Sequence, residues 1–251
     1  MAGERGVTLR LLGGIAFRLR SPSARSVNLS RQYVDIDFVG LRKQRKSIEA
    51  LFTDLGYTPR STFNALNGLT RLIFNDIENQ RRVDIFLNVF EMCHKLDFSE
   101  RLKLDQLTLP LADLLLTKLQ VYEITEREYK DVIALLKDHE LGQSDEGQMI
   151  NLKHIAKLAG SDWGLWRTIT LNLERLDERV SSYLDAPGEQ NAVREKILQL
   201  KKRIDEEPKS FGWRMRARVG EKVRWYELPE ADREVVDSRP ATERMGDRQT
   251  Q

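Results

Sequence analysis

Alternating apolar and polar residues predict strands in the N-terminal part of the chain. The clearest segment is YVDIDFVGL, Tyr33–Leu41, in which apolar residues surround two aspartates. Shorter β-prone runs are found at Thr8–Leu12, Arg71–Phe74 and Val83–Leu87. Because the polar segment NDIENQRR separates the last two runs, they predict a β-hairpin.

Helical spacing of apolar residues appears next to these strands and dominates the second half of the chain. Gly13-Gly14 leads into a short helical stretch, IAFRLR, and Leu41–Leu55 predicts an amphipathic helix that ends at Gly56. From about residue 102 the pattern is helical, and Pro110 suits a helix first turn. The predicted helices there cover LADLLLTKLQVYE, EREYKDVIALLKDHEL, Asn151–Leu158, Asp162–Leu184 and Ala192–Ile204. The pattern therefore predicts the α+β class with a helical C-terminal half.

The segment Phe211–Leu228 alternates, and we interpret it as a β-hairpin with a basic face. Arg214, Arg216 and Arg218 fall on one face, and the other face carries Trp213, Met215, Ala217 and Val219. Such a hairpin could contact an RNA backbone and stack bases, or it could be a solvated face over a small apolar cluster. From Pro229 the tail is polar and charged, which predicts disorder.

Composition and charge restrict the class of protein. The 251 residues are 40% hydrophobic and 32% charged, with a formal net charge of +2. This nearly neutral balance gives no global field for nucleic acid, so a basic partner site would be a local patch. The single cysteine, Cys93, excludes an intramolecular disulfide framework and fits a reducing compartment, so we expect a cytoplasmic protein. No apolar run is long enough to span a bilayer.

The N-terminal segment Met1–Arg31 is basic, with six arginines and one acid, Glu4. An organelle transit peptide is one interpretation of this bias. A basic flank beside an anionic ligand is the other, and the strand-then-glycine pattern within the segment favours it.

Asp35 and Asp37 carry the candidate chemistry. Side chains two residues apart on a strand point to the same side, so these carboxylates share a face. Their repulsion is removed by a divalent cation, and Mg²⁺ prefers one or two carboxylates together with substrate phosphates. Asp84 is a third carboxylate in an apolar β-like run, and beside the first pair it could help to hold two ions about 3.5–4 Å apart. Gly13 and Gly14 would let backbone amides approach a phosphate.

The motifs LLGGIAF, YVDIDF and VDIFL resemble the nucleotidyltransferase superfamily that includes DNA polymerase beta. The resemblance covers about residues 8–140. It implies that Gly13 and Gly14 contact the phosphates of a nucleoside triphosphate, that Asp35 and Asp37 hold Mg²⁺, and that Asp84 is a third ligand and possible base. The implied reaction moves a nucleoside monophosphate to a hydroxyl acceptor, whether RNA, protein or a small molecule, and releases pyrophosphate.

The resemblance also implies a domain plan. A polymerase-beta-like core, a small mixed sheet with helices on one side, would cover residues 1–105. A helical domain at 106–207, the basic hairpin at 208–228 and a disordered tail at 229–251 would follow.

The helical part is similar to nucleotidyltransferases of abortive-infection toxin systems. That similarity implies that Lys118 faces the triphosphate and that Lys130 and Asp131 support the site. From the sequence alone, Lys118 could equally be a lysine that extends from a helix surface to water.

Three features depart from the family. Gly13-Gly14 stands where the family often has Gly-Ser, the gap between Gly14 and Asp35 is long, and only a dozen residues precede Gly13. These departures keep a second hypothesis open, a catalytically inactive protein of this fold that acts as a nucleotide-binding or regulatory adaptor. Other chemistry-bearing residues have structural interpretations: Cys93 as a small core residue, His139 and His154 as surface or hydrogen-bonded core histidines, and Trp163 and Trp166 as core aromatics.

Overall fold

The computed structural model describes residues 1–228, and a five-stranded mixed sheet organises its N-terminal part. The strand order is β1-β2-β5-β4-β3, and β2 and β5 run parallel whereas the other neighbours are antiparallel. The strands are β1 (Leu9–Leu12), β2 (Asp35–Gly40), β3 (Thr58–Pro59), β4 (Arg71–Asp76) and β5 (Arg81–Leu87). The predicted β4–β5 hairpin is confirmed.

The helices surround this sheet and fill the rest of the described chain. The predicted helical second half is confirmed, with boundaries shifted by a few residues. The helices are α1 (Gly13–Arg20), α2 (Arg45–Asp54), α3 (Ser61–Asn67), α4 (Leu111–Leu119), α5 (Glu126–Asp138), α6 (Leu152–Ser161), α7 (Trp163–Arg179), α8 (Pro187–Glu206) and α9 (Phe211–Val219). Short strand pairs are formed by β6 (Val89–Glu91) with β7 (Lys95–Asp97) and by β8 (Leu141–Gly142) with β9 (Ile150–Asn151).

The two faces of the sheet have different neighbours, and this difference explains the alternation in β2. Ile36 and Phe38 join the apolar cluster that contains Ile48 and Phe52 of α2. The opposite face carries Asp35 and Asp37, and Val39 on that face joins the helical core. Side chains at alternate strand positions point to opposite faces, so one face of β2 stays apolar while the other presents carboxylates.

A single apolar cluster connects the sheet to the helical half. Leu12 and Val39 of the sheet belong to the same buried cluster as Leu115 of α4, Leu135 of α5 and Ile169 of α7. Helix α4 is buried along almost its whole length, which explains its mainly apolar sequence LADLLL, and the buried Asp113 within it is ion-paired with Arg101. The carboxylate face of the sheet therefore has a fixed position relative to α4 and α5.

The predicted β-hairpin at Phe211–Leu228 is wrong. Phe211–Val219 forms helix α9, and Gly220–Lys222 forms a 3-10 turn. The Ser210 side chain accepts a hydrogen bond from the Trp213 backbone N–H at 3.1 Å, which is a helix N-cap. Trp213 packs edge-on against Trp166 of α7, with 5.2 Å between ring centroids. The cap and this tertiary contact override the alternating pattern.

The segment after α9 packs across both halves of the chain. Trp225 Nε1 donates to Thr168 Oγ1 at 3.1 Å, and the Glu227 backbone N–H donates to the Cys93 carbonyl at 2.9 Å. Tyr226 stacks on Tyr122 with 3.8 Å between ring centroids. We call Val223–Leu228 the closing segment, since it connects the β6–β7 hairpin to α7. The predicted disordered tail at 229–251 lies outside the described residues.

The domain boundaries remain predictions. Within residues 1–228, no helix is long and apolar enough to cross a membrane.

Candidate functional site

The predicted carboxylates lie on adjacent strands. Asp37 of β2 is the register partner of Asp84 of β5 in the parallel pair, and Leu12 of β1 lies opposite Asp37 on its other side. Asp35 pairs with Arg82 in the same register. Neighbouring strands are about 4.8 Å apart, so the expectation that the Asp84 strand lies beside that of Asp35 and Asp37 is confirmed.

Gly13 brings the backbone directly against Asp37. It follows β1, begins α1 and has a φ of +63°, a region that glycine adopts without steric cost. A Cβ atom at this position would lie 1.9 Å from Asp37 Oδ2. Only glycine therefore fits here, and the N-terminus of α1, where backbone N–H groups lack helical partners, lies at the carboxylates.

Gly14 lies beside a cationic and aromatic pair. A Cβ atom there would lie 2.0 Å from an Arg31 Nη atom and 2.7 Å from the Tyr33 ring. The Arg31 guanidinium lies over the Tyr33 ring at 4.5 Å from its centroid, which is a cation–π distance. The start of α1 is thus bordered by Asp37 on one side and by Arg31 on the other.

Asp37 is the most perturbed carboxylate of this site. Burial raises its pKa to about 7, and the negative charges of Asp35 and Asp84 act in the same direction. The cations Lys118 and Arg71 oppose this rise through Coulombic attraction. Two negative neighbours and partial burial are the conditions under which a bound cation gives the largest stabilisation.

Asp84 is almost fully buried and is held by two arginines. Arg71 of β4 donates to Asp84 Oδ1 at 2.8 Å, and Arg82 donates to Asp84 Oδ2 at 2.6 Å. These charge-assisted hydrogen bonds occupy both carboxylate oxygens. In this arrangement Asp84 is a partner of arginine rather than an open ligand.

Lys118 is buried and ion-paired. Only 12% of its side chain is exposed, and its Nζ lies 3.0 Å from Asp131 and 3.5 Å from Glu128. Its pKa is raised, because the opposing effect of burial is outweighed by the attraction of Asp131 and Glu128. The alternative of a lysine extending to the helix surface is therefore wrong for this structure.

Asp131 connects Lys118 to the start of α1. Arg31 binds it bidentately, with Nε at 2.9 Å and Nη2 at 2.8 Å from the two carboxylate oxygens. Lys130 Nζ donates to the Ser30 carbonyl at 3.2 Å and fixes the segment that precedes Arg31. Lys118 and Asp131 are therefore connected to Gly14 through Arg31, and Lys130 holds the neighbouring Ser30; their roles toward a nucleotide remain predictions.

The fit of the residues to Mg²⁺ is partial. Asp35 and Asp37 at the strand end supply hard oxygen donors, and two carboxylates with substrate phosphates are a common magnesium ligand set. Across residues 1–228, no group of three or more His, Cys, Asp or Glu side chains is arranged so that it could hold a metal ion. The pair fits one ion, whereas Asp84 would first have to leave at least one arginine.

Three comparisons with known proteins were made for this chain. No family model, curated protein or solved structure matched it. The candidate site therefore rests on its own geometry.

The other sequence-predicted residues have structural partners. Cys93 is buried, as predicted, and its Sγ accepts from the Tyr122 backbone N–H at 3.4 Å. His139 lies 3.0 Å from the Arg20 carbonyl, and His154 lies 2.8 Å from Asp113. Trp163 is buried and Trp166 is partly buried, in line with their core interpretation.

The three arginines predicted for nucleic-acid contact lie on helix α9. Arg216 donates to the carbonyls of Gly220 and Val223 at 2.6 Å and stacks on Trp163, so its role is structural. Arg214 donates to the Lys209 carbonyl at 2.7 Å, and Arg218 is exposed. Their contact with RNA stays a prediction.

Sequence reasoning placed Arg31 only within a basic flank and did not assign Tyr33, Arg71 or Arg82 to the site, although all four lie there. Arg31 and Tyr33 precede Asp35 at spacings of two, so extending the alternation of β2 towards the N-terminus would have placed them on its side. Arg82 precedes Asp84 by two positions in β5 in the same way. Arg71 reaches Asp84 across the β4–β5 pair and carries no signal in its own segment.

Proposed function

We propose that this chain is a magnesium-dependent nucleotidyltransferase. It would move a nucleoside monophosphate from a nucleoside triphosphate to a hydroxyl acceptor and release pyrophosphate. The observation that carries the proposal is the position of Asp37, which lies in register with Asp84 and against the Gly13 turn at the start of α1.

The residues around Asp37 suit a triphosphate. The N-terminus of α1 offers backbone N–H groups, and a helix N-terminus favours negative charge. Lys118 and Arg31 are cations on the same side, held in place by Asp131. These groups would bind and orient the phosphate chain next to Asp35 and Asp37.

Magnesium held by Asp35 and Asp37 would neutralise charge that develops on the transferred phosphoryl group. The protein's own contribution is positioning, since phosphoryl transfer depends mainly on orientation and electrostatics. Asp84 could accept the proton of the incoming hydroxyl once a substrate group draws Arg71 or Arg82 away. This role for Asp84 belongs to the proposal, as does the polymerase-beta-like description of the sheet.

A second candidate is a catalytically inactive adaptor of the same fold. The two arginine contacts of Asp84 favour it, because they neutralise the carboxylate that a third ligand or base would need. Such an adaptor would regulate a partner without transferring a nucleotide.

Calorimetry with each of the four ribonucleoside triphosphates, with and without Mg²⁺, together with an assay of nucleotide transfer, distinguishes the two candidates. We expect magnesium-dependent binding of at least one triphosphate to the wild-type chain. We also expect mass spectrometry to find a transferred nucleotide in RNA, protein or metabolite pools incubated with the chain and labelled triphosphates.

Asp35→Ala or Asp37→Ala should abolish the transfer and leave the far-ultraviolet circular dichroism unchanged. Asp177→Asn is the matched control, since Asp177 is an exposed aspartate on α7. Triphosphate binding without transfer would leave the adaptor as the better description, and retained transfer in Asp37→Ala would refute the assigned site.

A further inference from the structure

Helix α9 packs on the rest of the protein with one side. Trp213 lies edge-on against Trp166 of α7, and the Arg216 guanidinium lies 4.8 Å from the centroid of the Trp163 ring. Trp213, Arg216 and Ala217 are all partly buried. Because residues three and four positions apart share one side of a helix, these three residues define the inner side of α9.

The opposite side carries a row of exposed apolar residues. Phe211, Met215 and Val219 follow one another at spacings of four, over about 12 Å of helix at 1.5 Å per residue. Their exposed fractions are 72%, 43% and 41%. A single exposed apolar residue is ordinary, whereas apolar residues that adjoin on a surface mark interaction sites. We call the side with Phe211, Arg214, Met215, Arg218 and Val219 the outer face of α9.

The outer face is cationic as well as apolar. Arg214 and Arg218 follow Phe211 and Met215 by three positions, so the two arginines adjoin the apolar row. Residues 211–224 contain five cations and one acid, Glu221. The exposed cations are Arg214, Arg218, Lys222 and Arg224. Glu221 is ion-paired with an arginine of α7 at 2.5 Å, so the charge of the outer face is strongly positive although the chain as a whole is nearly neutral.

We propose that the outer face of α9 docks on an anionic phospholipid bilayer. The apolar row would enter the boundary between headgroups and acyl chains, and the neighbouring cations would bind the headgroup phosphates. A helix that presents an apolar row beside a cationic row is suited to lying flat in this interface. Such a helix lies on the bilayer and does not span it.

The chemistry of the outer face favours a bilayer over other partners. RNA would bind the cations, but its phosphate backbone would not cover the aliphatic side chains of Met215 and Val219. A second copy of this chain in a two-fold contact would bring identical cations together, and like charges repel. Helix α9 rests on α6 and α7, so a partner has access to its outer face alone, as for a helix on a flat surface.

The proposal goes beyond the proposed function and does not depend on it. Asp35, Asp37 and Asp84 lie on β2 and β5, and none of them belongs to α9. A failure to detect nucleotide transfer would therefore leave the docking proposal unchanged.

Flotation of the full chain with lipid vesicles tests the docking. Vesicles of phosphatidylcholine are compared with vesicles that contain about 30% phosphatidylserine, whose anionic surface attracts lysine and arginine. We expect at least about tenfold tighter binding to the anionic vesicles, and weaker binding when the salt concentration is raised.

Substitutions on the outer face should weaken binding to the anionic vesicles. Arg218→Gln should weaken it about fivefold, the contribution of one cation near an anionic surface. Phe211→Ser should weaken it about tenfold through the loss of apolar burial. Lys46→Gln and Leu66→Ser are the matched controls, because Lys46 on α2 and Leu66 on α3 are exposed residues away from α9, and both should bind like the wild type.

Several results would overturn the proposal. They are equal binding to the two kinds of vesicle, no binding to either, and wild-type binding by both Phe211→Ser and Arg218→Gln. A single-stranded RNA octamer and size-exclusion chromatography test the other occupants of the outer face. RNA binding that Arg218→Gln weakens, without vesicle binding, would make nucleic acid the occupant. A dimer that Phe211→Ser converts to a monomer, again without vesicle binding, would make a second copy the occupant.

Discussion

Asp37→Asn should stabilise the protein at neutral and alkaline pH in the absence of divalent cations. The substitution removes a carboxylate that lies next to Asp35 and Asp84 and keeps the size of the side chain. The pKa of Asp37 rises from 3.8 to about 7 on folding, which corresponds to about 4 kcal/mol at 1.36 kcal/mol per unit. Because water still reaches this half-buried group, we expect a gain of roughly 2–4 kcal/mol in the free energy of unfolding.

The pH dependence has a defined sign. Well below pH 4 the carboxyl group is protonated in both the folded and the unfolded chain, so Asn and Asp should approach equal stability. Between about pH 4 and pH 7 the unfolded chain releases the proton while the folded chain retains it, and the stability of the wild type falls relative to the variant. Above about pH 7 the difference should be constant.

Urea denaturation of both proteins in EDTA at pH values from 4 to 8.5 measures this difference. Asp177→Asn should stay within about 0.5 kcal/mol of the wild type throughout, since its side chain is 53% exposed and 3.6 Å from Arg194. Added Mg²⁺ should stabilise the wild type and leave Asp37→Asn unchanged. A difference that does not vary with pH would refute the assigned electrostatics of Asp37.

Three further substitutions test the Gly13 turn, the buried Lys118 and the buried His94. Gly13→Ala, at φ +63° and with its methyl group 1.9 Å from Asp37 Oδ2, should lower the free energy of unfolding by at least about 1–3 kcal/mol; unchanged urea denaturation would contradict the close approach. Lys118→Met should lower the free energy of unfolding by about 1–3 kcal/mol, because Asp131 retains Arg31 but loses a buried cation. Calorimetry should also show weaker triphosphate binding. Wild-type stability together with wild-type binding would exclude Lys118 from the site. Burial lowers the pKa of His94 to about 4, so the wild type should lose stability as the pH falls from about 6.5 towards 4. In thermal denaturation, His94→Gln should not show this loss of stability. Parallel pH profiles of the two proteins would contradict the lowered pKa of His94.

The strands and their carboxylates could be predicted because their signal is local. Side chains alternate along a strand, so the sequence around Asp35 and Asp37 is sufficient to place both on one face. The hairpin that contains Asp84 followed from polar residues between two apolar runs, and the helices followed from their spacing.

The partners of those carboxylates could not be predicted in the same way. The contact of Arg71 with Asp84 depends on the register between β4 and β5 and on the reach of a long side chain. The contact of Lys118 with Asp131 joins two helices through their packing angle. The β-hairpin prediction for Phe211–Leu228 was wrong for a related reason. Its residues do alternate, but the Ser210 cap and the contact of Trp213 with Trp166 determine its helical conformation.

The closing segment limits which parts of the structure can form while the protein is still being synthesised. Trp225 and Glu227 bind Thr168 and Cys93, so the closing segment contacts parts of the chain that the ribosome synthesised much earlier. Leu228 of the same segment lines a cavity of about 210 Å³ beside Arg71, the residue that binds Asp84. N-terminal parts fold first during synthesis, so the sheet and its carboxylates can form on a nascent chain before this wall exists. This cavity is completed only after residue 228 has been added, and a shorter nascent chain would carry the carboxylates without a finished cavity.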